Sequence, residues 1–220
     1  MKAHLKEFAQ SPDLAQLSSL AVVILSHGGP HESIYGQNGA VDNNCPVPGT
    51  FITRLDLQSI FNTTNCPSMK GKPKLFIIQA CRGDDEDDRD RSDNESLGVN
   101  ENKNESYCRD GGLPDANAVE CETESDHPSP ELHRAETADM CFLHSSSLGY
   151  KAYRSRSEGS PFVQLLTEKV IQYAHEKSLQ DIVMMVQNAF TTRMIGSTKM
   201  TMPECFSLLP LKWYFNPPSS

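Results

Sequence analysis

Two short, unbroken apolar runs set the tightest limit on what this chain can fold into. "LAVVIL" (Leu20–Leu25) and "LFII" (Leu75–Ile78) are rich in β-branched residues and too short for ordinary helices. A run that is apolar at every position, not at every second one, reads as a strand covered on both faces. That is the situation of a strand in a parallel sheet with helices on either side. "DMCFLHSSS" (139–147) reads as a third strand, and "CFSLLPLKWYF" (205–215) as a closing one. Helical spacing of apolar residues lies between and around them. It covers residues 1–14 through Leu5, Phe8 and Leu14, and 51–61 through Phe51, Leu55, Ile60 and Phe61. Ser160 and Pro161 form an N-cap followed by proline, opening a helix that buries Phe162, Leu165, Leu166, Val170 and Tyr173. Ser178, with Asp181 three residues on, has the pattern of a capping box before Ile182, Val183, Val186 and Phe190. Strands alternating with helices predict an α/β fold with a largely parallel sheet.

The second apolar run ends at Cys81, and the chain then changes character. Residues 82–136 hold 18 of the 29 acidic and 6 of the 20 basic residues, a net charge of −12. The remaining residues carry a net +3, so the overall −9 describes this segment and not the folded body. The segment is broken by Gly and Pro and lacks the apolar surface to offset the entropy of ordering, so it is expected to be disordered. A near-neutral body gives no support for nucleic-acid binding. The first 14 residues are charged and amphipathic, unlike a secretory leader, and no uncharged run is long enough to cross a bilayer. Seven cysteines, an odd number without a C-x-x-C pair, fit reduced thiols in a cytoplasmic protein. No membrane partner, metal or cofactor is expected.

In sheets of this kind chemistry collects at the carboxyl ends of the strands. His27 follows the first strand and Cys81 the second. A cysteine attacks a carbonyl as its thiolate and needs a proton acceptor beside it, most often histidine. Gly28 and Gly29 let backbone N–H groups approach a developing oxyanion. From residue type and position alone two readings stand: a Cys81–His27 pair, or an inert core thiol beside a solvated loop histidine.

The local sequence separates them. "QACRG" (79–83) resembles the caspase signature Q-A-C-[RQG]-G, which has a histidine about 50 residues upstream; here His27 stands 54 residues before Cys81. "ILSHG", "IYGQNG" (34–39), "CPSMKGKPKLFIIQACRGD" (66–84) and "KWYFNP" (212–217) are similar to the same family in the same order. "IFNTTNCPS", "LPDANAV" and the short loop before "MPECFSLL" most resemble its apoptosome-type initiator branch, the caspase-nine type. Arg82 leans toward the other branches of the family, and "KAYR" departs from the family's common S-W-R.

The resemblance implies a caspase-like three-layer fold and a cysteine endopeptidase that cleaves after aspartate, made as a zymogen and acting in apoptotic signalling. It implies Cys81 as nucleophile, His27 as acid/base partner, and the N–H groups of Gly28 and Cys81 as the oxyanion hole. Gln79 and Arg154 would hold the substrate aspartate, and Tyr153 would wall the adjoining pocket. Arginine suits that task because its planar fork binds a carboxylate bidentately; Arg156 reads as a solvated charge. The family is cut between a large and a small subunit. Asp115 is the expected site, ahead of Asp110 and Asp126, dividing a single catalytic domain, 1–220, into 1–115 and 116–220, with the small-subunit fold from about 137. The new terminus Ala116–Val119 would resemble a motif bound by inhibitor-of-apoptosis proteins. Other implied partners are protein substrates with exposed aspartates and a second caspase in a homodimer or heterodimer.

Only 26 residues precede His27. The resemblance therefore implies a catalytic domain lacking its first strands and the loop that bears a second aspartate-binding arginine. "LAVVIL" would then lose a neighbour and expose an apolar edge. An alternative function follows: an impaired short form acting as a decoy or dimerisation partner. A cytoplasmic α/β cysteine hydrolase of other specificity is the remaining reading.

Overall fold

The structure, a computed structural model, describes residues 1–39, 41–42, 45–83, 87–88, 135–155, 157–192 and 199–215. The bulk of the acidic segment, with Asp110, Asp115, Ala116–Val119 and Asp126, lies outside the described residues, as does Arg156. In chain order the elements are α1 (Lys2–Ala9), β1 (Leu20–Leu25), β2 (Gly28–Gly29), β3 (Ser33–Tyr35), β4 (Val41–Asp42), β5 (Cys45–Pro46), β6 (Phe51–Ile52) and α2 (Arg54–Ile60). They continue with β7 (Lys74–Gln79), β8 (Asp87–Asp88), β9 (Met140–His144), α3 (Pro161–Tyr173), α4 (Leu179–Phe190), β10 (Lys199–Met200) and β11 (Glu204–Ser207).

The central sheet has the order β1-β7-β9-β11. β1, β7 and β9 run parallel, and β11 closes antiparallel to β9. Successive residues of a strand point to opposite faces, so β7 and β9 serve two cores. Phe76, Ile78, Met140 and Phe142 join Leu14, Leu57 and Phe61 on the face covered by α1 and α2. Leu75, Cys141 and Leu143 join Phe162, Leu166, Ile182 and Val186 on the face covered by α3 and α4. Helix, sheet and helix thus form three layers, an α/β fold with a mostly parallel sheet. Through the first core runs a file of aromatic rings. The centroids of Phe61 and Phe76 are 5.3 Å apart, those of Phe76 and Phe142 4.7 Å apart in a stack, and those of Phe142 and Phe206 6.2 Å apart.

The expected helix caps form. Ser160 Oγ accepts from Val163 N, with Pro161 in the first turn. Ser178 and Asp181 make a reciprocal capping box at the start of α4.

Four expectations are corrected. β1 is covered on one face only. Leu20 and Ile24 enter the first core, while Val23 and Leu25, on the other face, are 54% and 57% exposed. The cause is position, since β1 is the edge of the sheet. The segment 51–61 is not helical throughout: Phe51–Ile52 pairs with β3, and the helix starts after Thr53, which caps it with Asp56. The closing strand stops at Ser207, before Pro210, and among the described residues the chain beyond it makes a single β-bridge, Tyr214 with Ser178. The acidic segment does not begin at 82. Arg82 is buried, and Asp87–Asp88 pairs antiparallel with Lys199–Met200.

Candidate active site

β1 and β7 are in parallel register with Leu25 opposite Gln79, and Ser26 N donates to Gln79 O at 3.0 Å. His27 and Cys81 each lie two residues beyond that pair, so the register brings both past the carboxyl rim at the same level. Gly28 shows how tightly the two loops meet. A Cβ at this position would stand 2.0 Å from the carbonyl oxygen of Cys81, so only glycine fits without moving backbone. The histidine loop is held from its other side. Tyr35 N donates to His27 O at 2.9 Å, and Ser26 Oγ donates to Tyr35 O at 2.6 Å.

The Cys81 side chain is half-buried against the segment that follows β9. Ala152 N donates to its sulfur at 3.4 Å, and the thiol lies 3.6 Å from Ala152 O. The next residues of that segment are Tyr153 and Arg154. Gln79 is 3% exposed. Its Nε2 donates to Tyr153 O at 3.4 Å, and its Oε1 accepts from Ser160 Oγ, the cap of α3. The amide is thus engaged at both ends within the protein. Arg154 is exposed and forms no ion pair with a described carboxylate. With His27 it lines a groove of about 710 Å³ along the open edge of β1, whose other walls include Leu5 and Phe8 of α1, Val23, Leu25 and Tyr35.

Behind Cys81 lies a charged cluster that the sequence reading did not single out. Arg82 is 5% exposed. It pairs with Glu32, from the loop that follows the histidine, and with Glu204 of β11 at 2.9 Å, and it donates to Ser146 O at 3.2 Å. Glu32 also lies 3.6 Å from Arg54. Burial opposes ionisation of Glu204, but the bond from Arg82 outweighs it and holds the carboxyl below its ordinary range. His144, 2% exposed at the end of β9, adjoins the cluster. Burial and then the Arg82 charge push its pKa down to about 4. Neither ring nitrogen has a hydrogen-bond partner among the described residues, so the ring behaves as a neutral packing group. The R of "QACRG" was the available signal for Arg82; nothing in the sequence marks Glu32, His144 or Glu204.

Among the described residues no group of three His, Cys, Asp or Glu side chains could hold a metal ion, and no helix is long and apolar enough to cross a membrane.

The fold and the site define an α/β domain with a thiol and an imidazole at the carboxyl rim of a parallel sheet. The chain belongs to the caspase family: the family described as "Caspase domain" matches residues 1–214. It is 33% identical to Caspase-9 of Homo sapiens over 224 residues, covering 96% of this chain and 48% of that protein. It is 31% identical to Caspase-3 of Mus musculus over 222 residues, covering 96% and 64%. It is 29% identical to Caspase-1-B of Xenopus laevis, covering 94% and 49%. The chain spans about half to two thirds of the length of these relatives. Its fold is similar to that of Caspase-1 from Spodoptera frugiperda, with a TM-score of 0.67 at 21% identity, covering 100% of this chain and 71% of that one.

Proposed function

We propose that this chain carries the catalytic chemistry of a cysteine endopeptidase that cleaves after aspartate, acting as an initiator-type caspase in apoptotic signalling. The observation that carries this reading is the shared level of His27 and Cys81 at the sheet rim, with Gly28 pressed against the Cys81 carbonyl. In the mechanism, the Cys81 thiolate attacks the scissile carbonyl carbon, with His27 as the proton acceptor. The tetrahedral oxyanion is held by the N–H groups of Gly28 and Cys81. Its collapse breaks the C–N bond, and His27 protonates the leaving amine. Water, deprotonated by His27, then hydrolyses the thioester and restores the thiol. Arg154 and Gln79 hold the substrate aspartate, and Tyr153 walls the neighbouring pocket. Processing at Asp115 divides the single domain into 1–115 and 116–220, the partners being protein substrates, a second caspase and, through Ala116–Val119, an inhibitor-of-apoptosis protein.

Turnover of a fluorogenic peptide amide with aspartate before the scissile bond tests this. Cys81→Ala abolishes it. Arg154→Ala lowers kcat/KM by roughly 10- to 100-fold, the worth of a charge-assisted hydrogen bond. No turnover by the intact chain at any concentration overturns the reading.

Two observations favour a second reading, an impaired form that pairs with another caspase. The Gln79 amide is already engaged by Tyr153 O and Ser160 Oγ, and β1 leaves an apolar edge open. On this reading the chain co-purifies with a longer caspase and changes its activity; failure of both removes it.

A further inference from the structure

Cys141 and Cys205 play no part in the chemistry described above. Their sulfurs lie 3.8 Å apart. Cys141 sits on β9 and Cys205 on β11. The antiparallel register sets Cys141 opposite Ser207 and Cys205 opposite Leu143, so the two are diagonal neighbours on one face. Both sulfurs face the core beneath α3 and α4, Cys141 fully buried and Cys205 only in part. Both are free thiols. A disulfide requires the sulfurs to close from this distance to about 2.05 Å. Diagonal neighbours lie about 7–8 Å apart, just beyond the roughly 4.4–6.8 Å of Cα separation that such a bond usually spans, so closing it draws β9 and β11 together locally. A bond formed there belongs with the readily reduced, regulatory class.

We propose that Cys141 and Cys205 are a redox-modification site that hydrogen peroxide converts to a reversible intrachain disulfide. The two thiols have distinct roles. The hydrogen bond to Cys205, together with burial, raises the Cys141 thiol far above its ordinary range, and the same bond lowers Cys205. Cys205, as the more acidic and more accessible thiol, attacks the peroxide oxygen. The O–O bond breaks, Cys205 becomes a sulfenic acid, and one water leaves. The Cys141 sulfur then attacks the Cys205 sulfur and loses its proton, and the hydroxyl departs as a second water. Two thiols are oxidised by two electrons, and the peroxide is reduced to two waters. A dithiol reverses the step by exchange. The new bond would fasten β9 to β11 beside Glu204, whose carboxylate holds Arg82 next to Cys81. The inference rests on the strand geometry and does not depend on the peptidase reading.

The test uses the full chain with Cys81→Ala, so that the candidate nucleophile does not compete for oxidant. Folded protein is exposed to hydrogen peroxide, free thiols are alkylated, and the chain is digested with trypsin without reduction. Cys141 lies in peptide 135–151 and Cys205 in peptide 200–212, each holding one cysteine. The expected product is the two peptides joined, lighter by two hydrogens than their sum, returned to separate peptides by dithiothreitol and absent from Cys205→Ser. Recovery of both peptides separately alkylated overturns the proposal. So does sulfinic acid at Cys205 without cross-link, preferential bonding of either cysteine to a third, or a cross-link that forms only in urea.

Discussion

Arg82 is the residue through which the rim of the sheet is held in one piece. It follows Cys81 directly, and its carboxylate partners come from the histidine loop and from the last strand. His144 packs beside this cluster as a neutral ring, and that has a pH consequence. With a folded pKa of about 4 against an ordinary 6.5, the unfolded chain binds a proton that the folded chain refuses. Stability is therefore intact above about pH 6.5 and falls as pH drops toward 4. In urea titrations at pH 7 and pH 4.5, wild type should lose about 2 kcal/mol more than His144→Gln across that interval. Equal losses would remove His144 as the source. Asp181 acts in a lower window. The Ser178 hydroxyl and then Lys212 hold its pKa at about 2, so its contribution is lost only as pH falls below about 4.

Among the elements, α4 owes its start to Ser178 and Asp181. Ser178 Oγ accepts from Asp181 N at 3.2 Å, and Ser178 N donates to the Asp181 carboxylate at 3.3 Å. Ser178→Ala should cost about 1 kcal/mol, read as a lower urea midpoint with an unchanged m-value. A changed m-value would point instead to altered compactness. This cap was legible in the sequence because capping boxes are local; so were β7 and β9, as unbroken apolar runs, and the buried faces of α3 and α4, whose apolar residues recur at helical spacing. The uncovered face of β1 was not legible from its own residues: Val23 and Leu25 are apolar, and their exposure depends on where the strand falls in the sheet. The start of α2 was displaced because Phe51 and Ile52 pair with β3, a strand well separated from them along the chain, which no local signal marks. The site divides in the same way. His27, Gly28, Gln79 and Cys81 stood out because motif and strand end coincide. Glu32, Glu204 and His144 did not, because three separate elements bring them together around Arg82.

Across the whole molecule, the two cores share β7 and β9, and the aromatic file makes the first of them continuous from α2 to β11. Phe76 is one of its inner rings, wholly buried and in contact with rings on both sides. Phe76→Ala should cost about 4 kcal/mol, which a calorimetric melt would show as a fall in Tm of the whole transition. A loss below about 1 kcal/mol would mean that the core closes around the gap. The parallel register of β1 and β7 carries one last consequence, for which lengths of chain inheritance can alter. Removing one residue between Leu20 and Leu25 would turn later side chains to the opposite face and draw His27 back by about 3.3 Å relative to Cys81. The same holds for Lys74 to Gln79. The hairpin β4–β5, which among the described residues pairs only with itself, is under no such restriction. Descendants of this gene should thus gain and lose residues freely around Val41–Pro46, while the spans from Leu20 to His27 and from Lys74 to Cys81 keep their length as a matched pair.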